Sequence, residues 1–251
     1  MSSDLERLTR LSHELGRPDR DLVIQAEGNT SIRASADRML VKASGAALAT
    51  AGASDFVDVP LGAMLELLDD PGTDDEAVTA AFEKIAGTSG RRPSVESMVH
   101  AVCQLEAGAT VIGHTHPVPV NGLLCSRHAE TLASVVVYPE QIVVLGRTPV
   151  FVPYTDPGLA LAREVRRRLR DNIEAEGAPP KIIYLGNHGI FALGSSAAEV
   201  LRITEMAVKV SRIMQAGLAV GGLAPLDAEA ERRIDGREDE HYRRAALERR
   251  P

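Results

Sequence analysis

The chain of 251 residues carries 44% hydrophobic and 25% charged residues, which is globular usage rather than disorder, and it has room for one large α/β domain but not comfortably for two. A net charge of −7, 3% aromatics and no Trp exclude nucleic acid and anionic membranes as partners, since those need a basic surface or stacking platforms. Two cysteines give no disulfide framework, the charged N-terminus is no secretory signal, and no apolar run reaches the ~18 residues of a membrane span, so a soluble cytoplasmic protein is expected.

Leu5, Leu8, Leu11 and Leu15 recur at helical spacing. Beyond a Gly28-Asn29 turn, a short alternating strand runs to Ile32, and Met39-Leu40-Val41-Lys42 pairs with it antiparallel before Ser44-Gly45. Phe56 to Val59 reads as a third strand, Leu61 to Leu68 as a helix, and the acidic stretch Asp69 to Asp75 as a mobile loop. Pro93-Ser94-Val95-Glu96 opens a helix to Leu105, with Ser94 as N-cap and Glu96 in the first turn, where the dipole favours a carboxylate. Cys103, within that apolar stretch, reads as a small buried hydrophobe.

Ala109 to His114 is a buried-type strand stopped by Pro117, followed by a helix from Val118. Val135-Val136-Val137, Ile142-Val143-Val144 and Val150-Phe151-Val152 are expected to be strands. Leu159 to Ile173 is an amphipathic helix whose Arg163, Arg166, Arg167, Arg168 and Arg170 form a solvated basic face. Lys181 to Leu185 is a further strand and Ser196 to Ala216 the last strong helix. We read residues 1–225 as a single domain with a mostly antiparallel sheet and helices on both faces. Residues 226–251 form a charged tail, either a surface helix or partly disordered.

The chemistry concentrates in few residues. In His114-Thr115-His116, at a strand end, the two imidazoles project to one face and can share a cation. Two neutral ligands leave a tetrahedral metal half filled, so a third is expected. His188, in Gly186-Asn187-His188-Gly189 after another strand, is the natural candidate, although a lone His-X-His is also what a satisfied polar pair looks like. His13, His128 and His241 sit in polar surroundings and read as surface residues. Glu96 suits general acid/base work beside a metal, while a dipole-stabilised helix-start glutamate is the plain alternative. His100, four residues on, either orients Glu96 or packs. Gly28-Asn29-Thr30-Ser31 and Ser44-Gly45 offer small donors for a phosphate or carboxylate. No nucleotide fingerprint and no nucleophile elbow is present.

Taken in order, Gly28-Asn29-Thr30-Ser31-Ile32-Arg33, Val41-Lys42-Ala43-Ser44-Gly45, Ser94-Val95-Glu96 to His100, Gly113-His114-Thr115-His116-Pro117 and Asn187-His188-Gly189 resemble the class II aldolase/adducin family over nearly the whole chain. Pro139 to Val144 and Val152 to Gly158 look most like its rhamnulose-phosphate aldolase branch; fuculose-1-phosphate aldolases are similar too. The resemblance implies a three-layer αβα fold, a homotetramer, and zinc, or manganese or cobalt, on His114, His116 and His188. Glu96 would be the catalytic glutamate and would also ligate the ion before substrate enters. Gly28, Asn29, Ser44, Gly45 and Ser94 would bind phosphate. The implied reaction cleaves a ketose 1-phosphate to dihydroxyacetone phosphate and an aldehyde.

The chain departs from that pattern. Ala26 and Val95 replace two hydroxyl donors, which points toward a hydroxy-acid substrate without phosphate, while Lys42 offers a compensating charge. The tyrosine that assists cleavage from a neighbouring subunit has no matching residue: Tyr138 lies near, yet Glu140 stands about where it belongs. The same metal and enolate chemistry would serve an epimerase or decarboxylase. An adducin-like scaffold without catalysis is the third reading, opposed by retention of the three histidines and Glu96.

Overall fold

The computed structural model of the chain describes residues 3–237. Its strands are β1 (Asn29–Arg33), β2 (Arg38–Lys42), β3 (Phe56–Pro60), β4 (Val111–Thr115), β5 (Val150–Val152), β6 (Ile182–Leu185) and β7 (Gly189–Gly194). They form one sheet in the order β3-β2-β1-β4-β7-β6-β5, antiparallel at every step except β5 beside β6. The helices are α1 (Asp4–Leu15), α2 (Leu61–Asp69), α3 (Asp75–Ser89), α4 (Ser97–Glu106), α5 (Val118–Leu124), α6 (Thr131–Ser134), α7 (Pro139–Leu145), α8 (Leu159–Glu176), α9 (Ala197–Ala219) and α10 (Ala228–Asp235).

Period-two alternation sends side chains of each strand to two different cores. Met39, Val41, Val57, Ile112 and Phe191 pack under α2, α3, α4 and α8. Ile32, Val111, Tyr184 and Ile190 pack under α1, α5, α7 and α9. Each such aliphatic side chain contributes ~1.5–3 kcal/mol on burial, so the two layers clamp the sheet from both sides. Three layers, helix on sheet on helix, result, with the mostly antiparallel sheet expected from the sequence. No helix among the described residues is long and apolar enough to cross a membrane.

Several expectations are corrected. Residues 135–137 are irregular and 142–144 lie in α7, not in strands. Pro139 sits at the start of α7, and Ile142, Val143 and Leu145 bury one helical face, so a short apolar run that fits either period is settled by its packing. The run Gly189 to Gly194, for which no element was expected, is the interior strand β7 between β4 and β6, buried along its length. A helix not anticipated, α3, begins directly after the acidic loop, with Asp74 as its N-cap. That loop is tied down: Arg163 donates to the carbonyls of Asp70 and Thr73. Finally, α4 starts at Ser97 with Glu96, not Ser94, at the N-cap position, so Glu96 precedes the first turn and its side chain makes no capping bond.

Beyond residue 225, Leu226 N donates to Val136 O at 2.8 Å, and Ile234 of α10 packs on Val136 and Ile142. The remainder of the charged tail, 238–251 with His241, lies outside the described residues.

Candidate active site

The site forms where β1, β4 and the β6–β7 turn end together at the N-terminus of α4. His114 stands opposite Asn29 across the β1–β4 ladder and opposite Phe191 across β4–β7. Its ring is fully buried and stacks on Phe191 with centroids 4.3 Å apart. His114 Nδ1 donates to Ile190 O at 2.9 Å, which fixes the tautomer and leaves the Nε2 lone pair pointing outward into the cluster.

His116 follows two residues later on the same face, its Nε2 2.9 Å from that of His114. Its Nδ1 lies 3.6 Å from Glu27 Oε2, which also accepts the Ile24 N–H. His188 arrives on the three-residue turn between β6 and β7. Asn187 there takes φ 55°, and Asn121 of α5 donates to His188 O at 2.9 Å. Gly189 is required by crowding: a Cβ at that position would stand 2.4 Å from Thr115 O and 2.6 Å from His116 Cδ2. One nitrogen from each of His114, His116 and His188 lies within 4.8 Å of the others.

Glu96 completes the group. Oε2 lies 3.1 Å from His114 Nε2 and Oε1 3.2 Å from His188 Nε2. Burial alone would raise its carboxyl, but His114 and His188 outweigh burial and hold it well below the usual carboxylate range. Burial, reinforced by the neighbouring His114 and His188, lowers His116 to about 3, so its ring is neutral and able to ligate. The donor set suits a divalent ion such as zinc: three imidazole nitrogens converge, and the buried Oε1 of Glu96 has no hydrogen-bond partner.

The remaining sequence candidates separate. Asn29 and Ser94 join the site: Asn29 Nδ2 donates to Glu96 Oε2 at 2.8 Å and to Ser94 Oγ at 3.1 Å. Gly28, at φ 66°, lets the backbone pass His114 O, which a Cβ would meet at 2.6 Å. Ser44 and Gly45 are exposed on the adjoining loop, but the Ser44 N–H is taken by Arg92 O. Lys42 is turned inward and 2% exposed, donating to the carbonyls of Ala26 and Ala46 rather than presenting a charge to a ligand. It thereby stitches the Gly28 and Gly45 loops together. Tyr138 does not join the cluster within the chain; its hydroxyl meets Met206 of α9. Sequence reading missed Glu27 and Asn121; an acid directly before Gly28-Asn29 was the available signal for the first, and nothing local marked the second.

A cleft of about 610 Å³ opens beside His116 and His188, lined by Asp21, Val23, Ile24, Glu27, Val118 and Asn121. Ile24 and Val118 are 64% and 60% exposed, so its rim is apolar, and the carboxylates of Asp21 and Glu27 make its lining acidic.

The chain is similar to several known proteins. The chain is 26% identical over 202 residues to the uncharacterized oxidoreductase YuxG of Bacillus subtilis (strain 168), covering 77% of this chain but 27% of that protein, about a quarter of its length. It is 26% identical over 230 residues to methylthioribulose-1-phosphate dehydratase of Sorangium cellulosum (strain So ce56), covering 89% of this chain and 94% of the relative. A solved L-fuculose 1-phosphate aldolase superposes with a TM-score of 0.66 at 19% identity, covering 94% of this chain and 96% of that one, a likeness of fold. Residues 6–215 match the model described as Class II Aldolase and Adducin N-terminal domain, and the chain belongs to that family.

Proposed function

We propose that the protein is a divalent-metal-dependent lyase that cleaves a C–C bond of a ketose 1-phosphate or a related hydroxy-carbonyl compound, working as a homo-oligomer. The observation that carries this reading is the convergence of three imidazole nitrogens and the Glu96 carboxylate on one point at a cleft. His114, His116 and His188 would hold zinc, manganese or cobalt, and the ion would supply Lewis acidity to a carbonyl oxygen and the charge that develops there.

The chain's own groups supply the rest. Glu96, as the carboxylate, takes the proton of the hydroxyl whose carbon leaves as the aldehyde when the C–C bond breaks, and returns it to the carbon beside the carbonyl, where the electron pair of that bond is left. Oε2 of Glu96 is occupied by Asn29, so Oε1, without a hydrogen-bond partner, is the oxygen that receives the proton. Ser94 Oγ accepts from Asn29 and from Glu96 N, which leaves its hydroxyl proton to donate to an anionic substrate oxygen, together with the exposed Ser44 and Gly45. The acid-lined, apolar-rimmed cleft suits an uncharged distal end.

Zinc-loaded protein assayed against a panel of ketose 1-phosphates should release dihydroxyacetone phosphate and an aldehyde. No release across the panel sinks the reading. A second reading, loss of water from a ketose 1-phosphate, is favoured by the dehydratase relative and its near-complete coverage. A dicarbonyl product that forms without any aldehyde would select it.

A further inference from the structure

Beneath Glu96 lies a polar seam that metal binding does not explain. On α4 and its N-cap, Glu96, His100 and Gln104 are spaced four residues apart and share one helix face, at a rise of about 6 Å per step. On β1, Asn29 and Ser31 alternate toward that helix at about 6.6 Å per step. The two spacings match, so the stripes interlock. Gln104 Nε2 lies 2.9 Å from Ser31 Oγ, and Ser31 Oγ lies 2.7 Å from His100 Nδ1. His100 Nε2 meets Asn29 Oδ1, and Asn29 Nδ2 lies 2.8 Å from Glu96 Oε2. All five side chains are at most 5% exposed.

The direction of the chain follows from its end. An ionised carboxylate only accepts, so the Asn29 amide turns its NH₂ to Glu96 and its oxygen to His100. The oxygen accepts only, so His100 Nε2 carries the proton and Nδ1 accepts from the Ser31 hydroxyl, which in turn accepts from Gln104. We infer that His100 is a positioning residue: as the neutral Nε2–H tautomer it locks the Asn29 amide, and through it one oxygen of Glu96, leaving the other oxygen aimed into the cluster. Burial first, and His114 second, lower the His100 pKa to about 3, consistent with a neutral ring. Edge contact with Phe191, centroids 5.3 Å apart, fixes the ring from the side. The same bonds engage both ends of the Asn29 amide, so Asn29 serves the carboxylate in addition to any substrate anion.

The consequence for turnover rests on the lyase reading, so two readouts are needed. In full-length, zinc-loaded protein labelled with ¹⁵N-histidine, long-range proton–nitrogen correlation at neutral pH should show His100 protonated at Nε2 alone, its signal assigned by its loss in His100→Gln. An Nδ1–H ring or an imidazolium overturns the inference, because the chain would then run the other way. In turnover, His100→Leu should lower kcat by about 10–100-fold with KM and zinc per chain unchanged. His100→Gln, which returns an N–H at the Nε2 position, should regain most of it. Unchanged kcat, or a loss in KM alone, also overturns it. Should His100→Leu fail to fold, Ser31→Ala, which removes the donor to Nδ1, should give a smaller loss confined to kcat, and full activity there counts against the inference. Inactive wild-type protein would refute the lyase reading, while the tautomer still decides the positioning role.

Discussion

Along α8, Arg166 and Arg170 share Glu106, and Arg167 and Arg168 share Glu164, with Asp69 and Asp171 at the margin. Beneath β1, Asn29, Ser31, Glu96, His100 and Gln104 are as densely polar, yet closed off from solvent. Arg166 and Glu106 are more enclosed than the solvated face expected there, but at the exposed pairs, such as Arg167 with Asp171, water replaces a partner that is lost, and such a pair is worth ~0–1 kcal/mol. In the buried seam a lost partner leaves a desolvated group unsatisfied, at ~1–3 kcal/mol or more for a charge. Density of polar groups therefore says little; enclosure makes them specific. A sequence that shows a run of arginines and a scatter of Asn, Ser and His gives the louder signal to the less consequential region.

Substitutions can break that contrast. The largest effect is expected at His116→Ala, which should abolish both stoichiometric zinc and turnover; elemental analysis that still finds one ion per chain would show that the three imidazoles are not the ligands. Glu96→Gln should next abolish turnover while zinc stays bound, and an active variant would remove Glu96 from the role of base. Gly189→Ala forces a methyl against Thr115 O and His116, and chelator competition should show zinc affinity weakened by about 10–100-fold.

Lys42 gives a pH test of enclosure. Burial, opposed by the nearby Glu96 and Asp55 charges, lowers its pKa from 10.5 to about 8. Between those values the unfolded chain holds the extra proton, so stability should rise with pH from about 8 to 10.5. Urea midpoints of wild type should show that rise and those of Lys42→Met should lack it; parallel curves would contradict the buried cation. The smallest effect is expected at Arg167→Ala on the solvent side of α8, where the urea midpoint should not move and a clear fall would mean that this face matters.

Much of this site was legible one residue at a time. His114 and His116 declare a shared face through strand alternation alone, and His188 stands between glycines that permit a tight turn. Those features are local, carried by backbone period and glycine conformation. Glu96 and His100 were visible as neighbours on a helix face, but their partners were not, because Asn29 and Ser31 lie on a strand that only the packing of α4 on the sheet brings beneath them. Lys42 looked available to a ligand because sequence gives a charge without its direction; the fold turned it onto two backbone carbonyls. The strands expected at 135–137 and 142–144 failed for a related reason: a short apolar run satisfies either period, and the neighbours it packs against choose.

The sequence by itself determined which residue types reach the site and how they alternate along each element, because both depend on contacts within a few residues. Tertiary structure alone decided which of those elements meet, that β7 inserts between β4 and β6, and which way the amide of Asn29 faces. Those outcomes depend on long-range packing and on satisfying every enclosed donor and acceptor, a condition that no single segment can impose.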